Sequence, residues 1–105
     1  MRDYMAEKIA LATIFALRSV GAPEDLTHLA REARYLDLAR ALRGVVPLAD
    51  FERAWRGAIR MAYPGTSRRG AYYQRWLREV HRVGATLGLP GYLGRMESPL
   101  YQEAL

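Results

Sequence analysis

The sequence contains no cysteine. That excludes disulfides and cysteine-ligated zinc, and with them a fold in which cross-links stand in for a core. Histidine occurs twice, as His28 and His81, and neither is spaced from carboxylates so as to hold a metal. No glycine-rich phosphate loop, nucleophile elbow or His-Glu helix motif occurs, and Glu79 and His81 diverge around a helix, which is poor geometry for a dyad. Neither an enzyme, a metal nor a cofactor is therefore expected. Long apolar runs are also missing. The longest, Ile9–Leu17, is nine residues broken by Thr13, far short of the ~20 residues a membrane span needs. Asp3 and Glu7 lie where a signal peptide would be positive, so this run is expected to be a buried helix.

Acid is scarce in one half of the chain. Residues 1–52 carry seven bases and eight acids, residues 53–96 nine arginines and the single acid Glu79, and residues 97–105 two acids. The net charge of +5 is therefore the residue of a near-neutral front half and a strongly basic back half. A surface with that many uncompensated arginines repels itself, which points to a polyanionic partner. Arginine outnumbers lysine fifteen to one, so compositional bias and a solvated helical face are the plain alternative.

Within the basic half one pattern occurs twice. Arg53-Ala-Trp-Arg56-Gly-Ala-Ile-Arg60 is followed by Arg75-Trp-Leu-Arg78-Glu-Val-His-Arg82. Arginine at i, i+3 and i+7 forms one stripe on a helix, while Phe51, Trp55 and Ile59, and then Tyr73, Trp76 and Val80, form the inward side. Arg68 and Arg69 lie between the copies, after the Pro64-Gly65 breaker. Tyr72 and Gln74 flank the second stripe and suit phosphate, sugar or an exposed base.

Periodicity and breakers predict a single all-α domain over residues 1–105, a four-helix bundle with an irregular or helical C-terminal tail. The expected helices are about 3–20, 23–43, 48–63 and 68–87, with the tail at 88–105. Pro23 suits a first helical position, Gly44 a stop and Ser67 an N-cap. The first helix is apolar nearly all round, which implies enclosure by a core or by another subunit. His28 is expected on the surface. Gly57 and Gly84 sit mid-helix at a cost of roughly 1 kcal/mol each, which implies the close approach of something. Ser98-Pro99 is expected to start a last short turn.

Gly65-Thr-Ser-Arg68-Arg69-Gly-Ala-Tyr72-Tyr73-Gln74-Arg75-Trp76, continuing to Arg82, resembles a segment of the major capsid proteins of filamentous archaeal viruses of the rudivirus, lipothrixvirus and tristromavirus type. Tyr73, Gln74, Trp76 and Arg82 match in register, and Gly65 and Arg69 match with a shift of one or two residues. The resemblance covers about a fifth of the chain. It implies a small helical subunit of a virion that pairs into identical or paralogous dimers. These wrap linear double-stranded DNA, held in the A form, in hot habitats. The chain departs from the family in lacking a basic N-terminal arm. On this reading Arg53, Arg56, Arg60, Arg68, Arg69, Tyr72, Gln74, Arg75, Arg78 and Arg82 contact the nucleic acid. A cytoplasmic helix-turn-helix regulator, with residues 68–87 as recognition helix, and a helical scaffold of a ribonucleoprotein remain as alternatives.

Overall fold

The computed structural model describes residues 3–93, and all regular structure in that span is helical. Helix α1 runs Tyr4–Ser19 and is capped by Asp3, whose carboxylate accepts the amides of Met5 and Ala6 at 3.1 and 3.2 Å. It ends where Gly21 adopts φ 71°, with Gly21 and Ala22 amides bonding back to the carbonyls of Arg18 and Leu17. This is the paired 5→2 and 6→1 closure of a Schellman turn. The helix buries Met5, Ile9, Ala12, Thr13, Ile14, Ala16 and Leu17. Its enclosure is incomplete, however: Leu11 and Phe15 stand open to solvent.

The expected helix over 23–43 is two helices, α2 at Leu26–Arg31 and α3 at Tyr35–Leu42. The break is at Ala33, which takes the left-handed φ of 57°. Its amide bonds to the Ala30 carbonyl at 3.0 Å and the Arg34 amide to Leu29 at 2.8 Å, a second Schellman turn built without glycine. An alanine there gives no sequence signal for a stop, and the left-handed conformation costs an L-residue roughly 1–2 kcal/mol. The turn splits the two apolar stripes. Tyr35, Leu38 and Leu42 are buried, whereas Ala33 and Leu36 are left exposed. Pro23 is not a first helical residue either; it opens a turn in which its carbonyl accepts the Leu26 amide.

Helix α4, Leu48–Ala62, buries Phe51, Trp55, Ala58 and Ile59 and packs most extensively against α1. Helix α5, Gly70–Thr86, buries Trp76, Val80, Val83 and Gly84. Ser67 does not cap it. Arg69 is the N-cap, in extended conformation and without a side-chain cap bond, while the Ser67 carbonyl accepts the Tyr63 hydroxyl at 2.6 Å. A third Schellman turn at Gly88, φ 78°, ends α5. Pro90–Leu93 then forms the one-turn helix α6, within the tail expected to be irregular or helical. Leu89 and Tyr92 are buried in the chain's own core. The Tyr92 ring covers Gly84 and meets Trp55 edge-on at 5.4 Å, so the close approach that Gly84 permits is to an aromatic ring. The expected turn at Ser98-Pro99 lies outside the described residues.

The core is pinned by the one polar residue in the long apolar run. Thr13 is fully buried; its hydroxyl donates to the Ile9 carbonyl at 2.8 Å and accepts the indole N–H of Trp55 at 2.9 Å. The buried phenol of Tyr35 on α3 interacts with the same hydroxyl. Burial pushes the Tyr35 pKa up, an effect Thr13 partly offsets. Thr13 thus ties α1, α3 and α4 together, and among the described residues no buried side-chain nitrogen or oxygen lacks a partner.

Candidate nucleic-acid interface

The front half of the chain has as many acids as bases and pairs some of them closely. Arg18 and Glu24 pair at 2.6 Å, an interaction that holds the Glu24 carboxyl below its ordinary pKa, and Arg34 pairs with Asp37 at 2.8 Å. His28 is exposed, as expected. The basic half is different. Of its eight described arginines, Arg53 lies 3.7 Å from Asp50, Arg56 3.6 Å from Glu52, and Arg75 3.9 Å from Asp3. These are long, wet pairs of little energetic weight. Arg82 has the closest partner, Glu79, at 3.1 Å. Arg60, Arg69 and Arg78 have no acidic partner among the described residues, and neither has Arg68. All eight are exposed except Arg56, which is half-buried.

The two arginine triplets do not line one groove. Arg56 and Arg60 of α4 join Arg68 from the connecting segment around a groove of about 380 Å³ between α4 and α5. Its floor is Ile59, Trp76, Leu77 and Val80, and its sides are Tyr73 and Tyr92. Arg56 lies over the Tyr92 ring at 4.8 Å, and Arg68 over Tyr63 at 5.5 Å and Tyr73 at 6.0 Å. Aromatic faces orient these guanidinium groups without neutralising them. Arg68 also donates to the Arg60 carbonyl at 3.3 Å, which draws the connecting segment back onto α4. Arg75, Arg78 and Arg82 do not line this groove; Arg75 instead reaches toward Asp3 at the start of α1.

Tyr72 and Gln74 are exposed near the start of α5, with the Tyr72 ring 6.0 Å from Tyr63. Tyr63 is the centre of that corner, packing also against Tyr73 and Trp76. The sequence reading passed over Tyr63 because it ends α4 beside Pro64, where breakers draw attention to backbone and not to side chains. Glu52 was also missed. Besides pairing with Arg56, it accepts the Gly91 amide at 2.9 Å and so fixes α6 to α4. No His or carboxylate cluster suited to a metal occurs among the described residues, and no helix there is long and apolar enough to cross a membrane. Comparison with known protein families, curated proteins and solved structures finds no match to this chain.

Proposed function

We propose that the protein is a structural, nucleic-acid-coating subunit. In this reading it assembles with copies of itself, or with a paralogous subunit, around linear double-stranded DNA in a filamentous virion. The observation that carries the reading is the excess positive charge of α4, α5 and their connection: eight arginines, seven of them exposed, of which Arg60, Arg68, Arg69 and Arg78 have no acidic partner among the described residues. A coat must bind every sequence it meets, and phosphate is the feature all sequences share. Arginine serves this better than lysine, because its fork donates two hydrogen bonds and its weaker hydration lowers the cost of burial. Arg75 to Arg82 span about 10 Å of helix, enough to meet two successive phosphates. Arg60, Arg69 and Arg78 bind without first releasing an acid, so they carry the largest share.

The absence of catalytic constellations in the sequence fits a structural role, as does the resemblance of the Gly65–Arg82 segment to filamentous capsid subunits. The connection between α4 and α5, Tyr63–Arg69, is seven residues long and held by aromatic packing. It is longer than the three or four residues of a helix-turn-helix, which disfavours the regulator reading.

The test is the salt dependence of binding to two unrelated duplexes and to an RNA duplex of matched length. Each neutralised phosphate contributes roughly 0.9 to the slope of log affinity against log salt. Arg60→Gln, Arg69→Gln and Arg78→Gln together should flatten the slope by about 2–3 units on both DNA duplexes alike. An unchanged slope, or a loss confined to one sequence, would overturn the reading. A strong preference for RNA would favour a ribonucleoprotein scaffold instead.

A further inference from the structure

The groove between α4 and α5 suits something other than a phosphate chain. Among its lining residues is Arg68, which has no acidic partner among the described residues and whose guanidinium lies over the rings of Tyr63 and Tyr73. The floor is apolar, and two of its lining residues, Tyr73 and Leu77, are only half-buried. A phosphate backbone needs cations and has no apolar surface to lay on such a floor. Arg75, Arg78 and Arg82, outside the groove, offer phosphate the cations without the floor. An arginine beside apolar side chains fits a peptide segment that carries carboxylates and apolar groups together.

The chain holds such a segment next to the groove. Residues 97–105 contain Glu97 and Glu103 and no base, together with Leu100, Tyr101 and Leu105. Tyr92 forms one side of the groove and is the last described residue but one. Helix α6 is fastened at that place. The Gly91 amide donates to Glu52 at 2.9 Å, and Arg56, which also lines the groove, lies over the Tyr92 ring at 4.8 Å. Glu97 follows Leu93 by four residues, a reach of at most about 14 Å. A tether that short gives an effective concentration in the millimolar range, so modest contacts suffice to hold the segment. A second groove of about 540 Å³, lined by Leu36, Arg43 and Leu48, includes Gly88. The chain leaves it there for α6, whose Tyr92 belongs to the α4–α5 groove.

We infer that the α4–α5 groove is the docking site for residues 97–105 of the same chain, with their carboxylates on Arg68 and with Leu100 and Tyr101 on Leu77 and Tyr73. The test uses the full chain with no nucleic acid present. Chymotryptic cleavage after Tyr101 reports the undocked population, each variant being compared with its own free peptide of residues 94–105. The wild-type chain should be cut at least about tenfold more slowly than its peptide. Glu97→Gln with Glu103→Gln should remove most of that protection, and so should Arg68→Glu, with helical circular dichroism unchanged. Adding Glu97→Arg and Glu103→Arg to Arg68→Glu should restore it, because the pair is then reversed and not lost. In nuclear Overhauser spectra Leu100 and Tyr101 should contact Leu77 and Tyr73. A wild-type segment cut as fast as its peptide overturns the inference, as does protection indifferent to all of these charges. So do contacts to Leu36 and Leu48 in place of Leu77 and Tyr73. Protection that grows with protein concentration would assign the segment to a second copy and overturn it too. Arg60, Arg69 and Arg78 of the salt-slope test are left intact throughout, so the docking site and the nucleic-acid reading can fail separately.

Discussion

Replacing Thr13 with valine changes almost no volume, so its cost isolates a hydrogen bond from a cavity. The hydroxyl accepts the Trp55 indole N–H at 2.9 Å, and the Trp55 side chain is fully buried. In Thr13→Val the indole donor faces a methyl group with no water to take its place. Leaving a buried donor unsatisfied costs about 1–3 kcal/mol. The bond from Thr13 to the Ile9 carbonyl is a smaller loss, because that carbonyl belongs to α1's own ladder. Thr13→Ser makes the complementary change: it keeps the acceptor and removes a methyl, at about 1 kcal/mol. Urea denaturation followed by tryptophan fluorescence separates them. With a urea slope of about 1–1.5 kcal/mol/M for a chain of this size, Thr13→Val should lower the midpoint by about 0.7–3 M and Thr13→Ser by at most about 1 M. A valine variant as stable as wild type, or more stable than the serine variant, would refute the assignment of Thr13 as the core's acceptor.

Ala33→Gly removes the left-handed strain between α2 and α3 and should stabilise the chain by about 1 kcal/mol, a rise of roughly 4–8 °C in melting temperature. Gly57→Ala, at an open mid-helix site, should stabilise the chain by up to about 1 kcal/mol, read from thermal denaturation. Tyr35 has its pKa raised by burial, so the folded chain holds that proton at a pH where the unfolded chain has lost it. Its contribution is therefore present in full below about pH 10 and falls away as pH rises further, and Tyr35→Phe should flatten the alkaline limb of a stability–pH curve.

The parts of this fold that were legible in the sequence are those set by side-chain period. The spans of α1, α4 and α5, and the inward placement of Phe51, Trp55, Trp76 and Val80, follow from 3.6-residue spacing bounded by Asp3, Pro47 and Gly88. The break at Ala33 was not legible, since the backbone there adopts a conformation that its own residue type disfavours and the surrounding packing enforces. Arginine exposure was readable, but the separation of the triplets was not. Spacing places Arg53, Arg56 and Arg60 on one stripe, yet Arg56 lies over the ring of Tyr92, a contact made across the chain. Thr13 looked like an interruption of an apolar run because its partner lies 42 residues away.

That separation also has a meaning during synthesis. At about 5–20 residues per second, Trp55 follows Thr13 out of the ribosome by about 2–8 s. In that interval α1 has no α4 to pack against, and the hydroxyl that will later receive an indole has its own helix's Ile9 carbonyl as a local partner. The back-bond lies wholly within α1, so it can form with the helix itself, before its long-range neighbour arrives.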